Sequence, residues 1–134
     1  MTTYQKKIAS LKPILFPNQE QLVVVIRLRK FINEHYDQKV NLDLLSEEHS
    51  ISKYHMLRLF KRYFGQTPRQ YLIDKRLEKS KELLQTTISV TETCFTVGFE
   101  SVGSFSSLFK NKTGKTPSQY QKEQLSRNSI PKES

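Results

Sequence analysis

The chain has a single cysteine, Cys94, among its 134 residues. An intrachain disulfide framework is thereby excluded, and so is a zinc site built on several cysteines. No apolar run is long enough to cross a bilayer. Lys6 and Lys7 precede a short apolar stretch, but Lys12 and Pro13 break it, so the N-terminus does not read as a secretory signal. The expected compartment is the cytoplasm. Glycine is scarce, at four, and proline numbers five. No segment alternates as a half-buried strand does, so the reading is an all-α chain. Acids are few as well: 13 Asp and Glu stand against 22 Lys and Arg, a formal net charge of +9. That balance favours a polyanionic partner over a merely soluble basic protein. His35, His49 and His55 show no metal-ligand spacing with Asp, Glu or Cys. Neither a glycine-rich phosphate loop nor a nucleophile motif is present. The expectation is therefore no enzyme, no catalytic residue, no metal and no cofactor.

What the chain does contain is a phrase stated twice. Residues 60–71 read Phe-Lys-Arg-Tyr-Phe-Gly-Gln-Thr-Pro-Arg-Gln-Tyr, and residues 109–120 read Phe-Lys-Asn-Lys-Thr-Gly-Lys-Thr-Pro-Ser-Gln-Tyr. Seven of the twelve positions are identical at an offset of 49. Gly65 and Gly114 are placed as helix-ending glycines. Thr67 and Thr116 are placed as N-caps, with Pro68 and Pro117 at the first helical position and Gln70 and Gln119 completing a capping box. Each phrase thus predicts a helix end, a tight turn and a new helix.

Taken in order, residues 1–17 carry Pro13 and Pro17 without a sustained period and read as a tail or linker. Asn18 is a candidate cap for a helix running to about Tyr36. Asn41 caps a short helix with Leu42, Leu44 and Leu45 inward. Residues 34–48 hold five acids and one lysine, which disfavours contact with phosphates. Ser52 caps a helix over 53–64 with Met56, Leu59, Phe60 and Tyr63 inward; residues 53–69 hold five basic and no acidic side chains. A helix over 68–84 follows, about 25 Å long. Ser89 with Glu92 opens a short helix to Val97, and Ser101 caps another over 102–113 with Phe105, Leu108 and Phe109 inward. The last helix runs from Pro117 to about Leu125, and 126–134 read as a disordered tail.

The repeat reaches upstream at an offset of 48: Asn41 with Ser89, Ser46 with Cys94, Ser50 with Gly98. Each unit is a short helix, a turn of three to four residues and a longer helix, which is the helix-turn-helix plan. Ser46 and Cys94 supply the small residue that close helix packing needs, so Cys94 reads as a buried small residue rather than a redox thiol. The expected architecture is two helix-turn-helix subdomains, 18–67 and 85–125, joined by a connector helix, 68–84, with about seven helices in all.

These motifs together resemble the DNA-binding region of the AraC/XylS family of bacterial transcription regulators, over roughly residues 20–122. The resemblance rests on Gly98-Phe99-Glu100-Ser101, Phe105-Ser106, Phe109-Lys110, Gly114 and Thr116 to Tyr120 in the second unit. In the first it rests on Ser52, Leu59-Phe60-Lys61, Gly65, Arg76-Leu77 and Leu83-Leu84. The chain departs from the family pattern at Ser46, Ser80 and Cys94, where alanine is usual, at Thr93, where Ile or Leu is usual, and at Gln121, where arginine is usual. The resemblance implies a sequence-specific regulator, more often an activator, with double-stranded DNA as partner and RNA polymerase as a further candidate. It also implies that a sensor domain often lies beyond the linker; the chain as given is expected to act as a monomer, with a dimer as the alternative if such a domain is missing here. The competing expectation is a nonspecific or architectural nucleic-acid binder.

A recognition helix offers its outward side chains to base edges in the major groove. In the first unit the base-contact candidates are Tyr54, Leu57 and Arg58. Arg58 suits a guanine, with a phosphate contact or a surface ion pair as its blander role. In the second unit they are Val102, Gly103, Ser106 and Ser107, all short, which suits close docking and the reading of shape or methyl groups. The phosphate-contact candidates are Lys53, Lys61, Arg62, Lys110, Lys112 and Lys115. For Lys112 and Lys115 a solvated loop lysine fits nearly as well. Two readers on a connector of this length suit successive major grooves, about 34 Å apart.

Overall fold

The computed structural model describes residues 19–129, and every regular element in that range is a helix. There are seven: α1 (Gln19–His35), α2 (Leu42–Glu48), α3 (Lys53–Phe64), α4 (Pro68–Leu84), α5 (Val90–Thr96), α6 (Val102–Thr113) and α7 (Pro117–Ser129). The all-α expectation holds. Asn18 and the tail 1–17 lie outside the described residues. The last helix runs past the expected end at Leu125, so 126–129 are helix rather than tail. No glycine or proline stands between Leu125 and Ser129, and Arg127 in the last turn complements the helix dipole.

The described residues form two compact units, 19–34 with 41–71 and 35–40 with 72–129. This differs from the linear division expected above. The segment between α1 and α2 belongs to the second unit, and α4 is divided between the two. Arg76 is the reason for the first difference. Its Nε donates to the Tyr36 carbonyl at 2.6 Å and its Nη2 to the Gln38 carbonyl at 2.9 Å. Its guanidinium also lies 5.6 Å from the centre of the Phe99 ring.

In the first unit, Val25, Leu28 and Ile32 make the buried stripe of α1, at the spacing of one helical face. The β-branched run Val23 to Ile26 is helical, with Val25 buried while Val23 and Ile26 are exposed. Met56, Leu59 and Phe60 are buried on α3 as expected. Phe60 meets Phe64 and Tyr71 edge-on, with centroids 4.8 and 5.7 Å away. The Tyr71 hydroxyl donates to Asn33 Oδ1 at 2.7 Å, and Arg29 lies over Phe64. Leu44 departs from expectation: it is 51% exposed, and Leu45 beside it takes the buried position. On a helix as short as α2 only one stripe faces inward, and Leu44 is off it.

In the second unit, Leu77, Leu84, Cys94, Val97, Phe99, Phe105 and Phe109 form one buried cluster. A chain of rings runs through it, Phe99 to Phe105 to Phe109 to Tyr120, with centroids 5.2, 5.8 and 5.4 Å apart. Burying each phenylalanine stabilises by about 1.5–3 kcal/mol, so these rings carry much of this unit's core. Leu108 is only partly buried at its edge.

The repeated exits fold alike. Gly65 and Gly114 take φ of 76° and 82° and donate to the carbonyls of Lys61 and Lys110. Thr67 and Gln70 exchange hydrogen bonds of 2.9 and 3.2 Å; Thr116 and Gln119 exchange bonds of 3.0 and 3.1 Å. These are reciprocal capping boxes, satisfying two free N–H groups at each helix start.

Candidate nucleic-acid interface

The two helix-turn-helix turns are built on the same hydrogen bonds. Ser50 N–H donates to Glu47 and Ile51 N–H to Ser46; Gly98 N–H donates to Phe95 and Phe99 N–H to Cys94. Ser50 and Gly98 both take positive φ, at 52° and 104°. The second turn has one residue more, Glu100, before its cap. Before their caps the turns hold three and four residues, 49–51 and 97–100, as expected.

Ser52 Oγ then accepts from His55 N–H at 3.1 Å, and Ser101 Oγ from Ser104 N–H at 3.1 Å. These equivalent caps start α3 and α6 in the same register. At an offset of 49, Lys53 matches Val102, Tyr54 matches Gly103, Leu57 matches Ser106, Arg58 matches Ser107 and Lys61 matches Lys110. The base-contact candidates of the two units therefore occupy the same helical positions with different side chains.

On α3, Tyr54 is 76% exposed and Arg58 is exposed. The Arg58 guanidinium stands 6.0 Å from the Tyr54 ring centre, at the outer limit of a cation–π contact. Leu57 is half-buried beside them. On α6, Gly103 and Ser107 are exposed and Ser106 is half-buried. Val102 packs against the second core, so only part of its side chain faces outward.

The six phosphate candidates divide evenly. Lys53 pairs with Asp43 at 3.3 Å, Lys112 with Asp74 at 3.2 Å, and Lys115 with Glu123. Lys61, Arg62 and Lys110 are exposed and have no ion-pair partner among the described residues. Exposed pairs contribute at most about 1 kcal/mol, so a phosphate can displace the carboxylate. The nearby acid still lowers the gain at Lys53, Lys112 and Lys115. Among the described residues no group of three or more His, Cys, Asp or Glu could hold a metal ion. No described helix is long and apolar enough to cross a membrane.

A family model described as a helix-turn-helix domain matches residues 45–123. The chain belongs to the AraC/XylS family. It is 34% identical over 109 residues to the uncharacterized HTH-type transcriptional regulator YdeC of Bacillus subtilis, covering 78% of this chain and 38% of YdeC. It is 30% identical over 98 residues to the regulatory protein SoxS of Salmonella typhimurium, covering 72% of this chain and 92% of SoxS. The chain thus spans well under half of YdeC but nearly all of SoxS. The DNA-binding domain of the global transcriptional factor AdpA, solved with a target DNA, superposes with a TM-score of 0.71 at 25% identity, covering 77% of this chain and 94% of that one. What the chain shares with these relatives is the helix-turn-helix region of HTH-type transcription regulators and the fold of their DNA-binding domains.

The departures from the family pattern are now legible. Ser46 and Ser80 return their hydroxyls to the carbonyls of Asp43 and Leu77, at 2.8 and 2.7 Å. Cys94 is fully buried, and burial pushes its thiol pKa up. Thr93 is also fully buried, and its hydroxyl has no hydrogen-bond partner among the described residues. Gln121 donates from Nε2 to the carbonyls of Thr86 and Ile88 at 2.9 and 2.5 Å, tying α7 to the loop before α5. Arg76 was not a candidate, yet it fastens 35–40 into the unit that holds α6. The available signal was an arginine at a core spacing, three residues after Ile73 and four before the buried Ser80.

Proposed function

We propose that this regulator binds a specific two-part DNA sequence, with α3 and α6 each reading one block in the major groove and the blocks about one helical turn apart. Arg58 carries the sequence-specific part of the reading. It is exposed, has no ion-pair partner among the described residues, and shares the outward face of α3 with Tyr54. An arginine so placed selects guanine by about 1–3 kcal/mol over other bases. The α6 block is read by short side chains and contributes less selectivity. Lys61, Arg62 and Lys110 hold phosphates, with weaker help from Lys53, Lys112 and Lys115. One chain suffices for both blocks.

Activation is the proposed sign of regulation, with RNA polymerase as the partner and the cytoplasm as the compartment. The test is selection from a random duplex library at about 0.15 M salt, a physiological ionic strength. A two-block motif, with one block lost in Arg58→Ala, is the expected result. Transcription from a promoter carrying that motif then tests the sign.

The second reading is a nonspecific or architectural binder. It is favoured by the net charge of +9 and by the lack of any long polar side chain among the α6 candidates. It predicts a salt slope of about 0.9 per phosphate contact with no enriched motif.

A further inference from the structure

Three of the four glycines answer a demand of the backbone. Gly65, Gly98 and Gly114 all have φ between 76° and 104°. Gly103 is different. It lies in the first turn of α6, has no positive φ, and an added Cβ would meet nothing closer than Ser101 Oγ at 3.7 Å, an ordinary contact. Folding therefore has no use for glycine there, and glycine leaves the unfolded chain more freedom to lose. The equivalent place on α3 holds Tyr54, the most exposed large apolar side chain described. Where the first reader projects a ring, the second has a vacancy.

The surroundings of the vacancy indicate what it takes. Val102 precedes it, and Ser106 and Ser107 stand one turn on. No charged side chain lies on this face of α6 before Lys110. In the major groove, the group that suits a bare, uncharged stretch of helix backbone of this kind is the C5 methyl of thymine. We propose that Gly103 is the floor of a thymine-methyl socket, so that α6 selects thymine by admitting one methyl group against its backbone. This rests on the reading above that α6 enters the groove, and it names the base feature read there.

The experiment combines one atom group on each partner. Duplexes carrying the selected motif are made with each thymine of the α6 block replaced in turn by uracil, which removes the methyl and keeps the pairing. Wild-type chain and Gly103→Ala are titrated against both by fluorescence anisotropy, and each is melted alone. Wild type is expected to lose about fourfold in affinity at one uracil position, the worth of one buried methyl. Gly103→Ala is expected to bind the thymine duplex roughly tenfold more weakly, from overpacking, and to be indifferent to uracil at that position. Its melting temperature is expected to rise by about 2–4 °C, showing that the defect is not in folding.

Wild type indifferent to every uracil overturns the socket. So does Gly103→Ala binding as tightly as wild type, or losing affinity while keeping the wild-type response to uracil. If selection yields no second block at all, the reading of α6 as a groove helix fails instead. That result is separate, because it appears before any uracil is introduced.

Discussion

The turn between α2 and α3 and the turn between α5 and α6 close with the same hydrogen bonds but lie under different constraints. Ser50 holds the left-handed position in the first turn and keeps its side chain exposed. Gly98 holds it in the second turn, where a Cβ would fall 2.7 Å from the Tyr36 carbonyl oxygen and 2.9 Å from Arg76 Nε. Left-handed backbone alone therefore does not decide the residue. What decides it is the segment 35–40, which Arg76 holds against the second turn. The reading faces differ in a parallel way: Tyr54 and Arg58 on α3 stand where α6 has Gly103 and Ser107. The second unit is the more tightly bound at its turn and the barer at its surface.

The strongest way to break this contrast is substitution at the two turn positions. Gly98→Ala combines left-handed strain with a clash against backbone, and we expect it to lose roughly 3 kcal/mol or more of stability. Ser50→Ala already has its Cβ accommodated and should change stability by less than about 0.5 kcal/mol. Urea unfolding of the full chain, followed by circular dichroism, compares them directly. Equal losses would show that the Arg76 clamp does not distinguish the turns.

Next in size is the exchange of reading chemistry. Arg58→Ala should lower affinity for the selected duplex by about 1–3 kcal/mol and abolish the guanine preference in one block. Ser107→Arg places the same side chain at the same register of α6 and should create a guanine preference in the other block. Selection with each variant reads both outcomes. A Ser107→Arg variant whose second block is unchanged would mean that the two registers are not functionally equivalent.

A smaller effect is expected inside the repeat. Leu45 and Thr93 are equivalent at the offset of 48, and both are buried. Thr93 brings a hydroxyl with no hydrogen-bond partner among the described residues into a fully buried position. Thr93→Val keeps the shape and removes the unpaired group, so it should stabilise by about 1 kcal/mol. A destabilised Thr93→Val would indicate that the hydroxyl has a partner after all, such as a bound water.

The features legible in the sequence were those fixed by neighbours a few residues apart. Ser52, Ser89, Ser101, Thr67 and Thr116 could be placed as caps because a cap bonds three residues along. The core faces of α3 and α6 followed from helical spacing, save that Leu108 and Tyr63 are only partly buried. What escaped depends on residues far apart in the chain. Arg76 reaches carbonyls 40 and 38 residues back. Lys112 finds Asp74 38 residues before it and Lys115 finds Glu123, which leaves Lys110 as the one unpaired phosphate candidate of the three on that side, among the described residues. No local pattern announces such partners. Leu44 was misplaced for a different reason: in a seven-residue helix, two adjacent leucines give too little periodicity to tell the inner one from the outer.

The last and smallest contrast is at the packing point of each short helix. Ser46 and Cys94 are equivalent, both small and both buried, but Ser46 returns its hydroxyl to the Asp43 carbonyl while Cys94 sits in the apolar cluster. Burial raises the Cys94 thiol pKa above its unfolded value. The neutral thiol is therefore the form that folding favours. Its contribution is fully present below the ordinary thiol pKa and is lost as pH rises through the higher folded value, because the unfolded chain ionises first. At neutral pH the thiol is protonated in both states, so none of that contribution has yet been lost. On the alkaline side, wild type should lose stability with pH more steeply than Cys94→Ala, while Ser46→Ala should run parallel to wild type. Unfolding free energies measured across the alkaline range for the three chains check this. Parallel curves for wild type and Cys94→Ala would mean that the thiol ionises as easily folded as unfolded, and that the packing point of α5 is open to water.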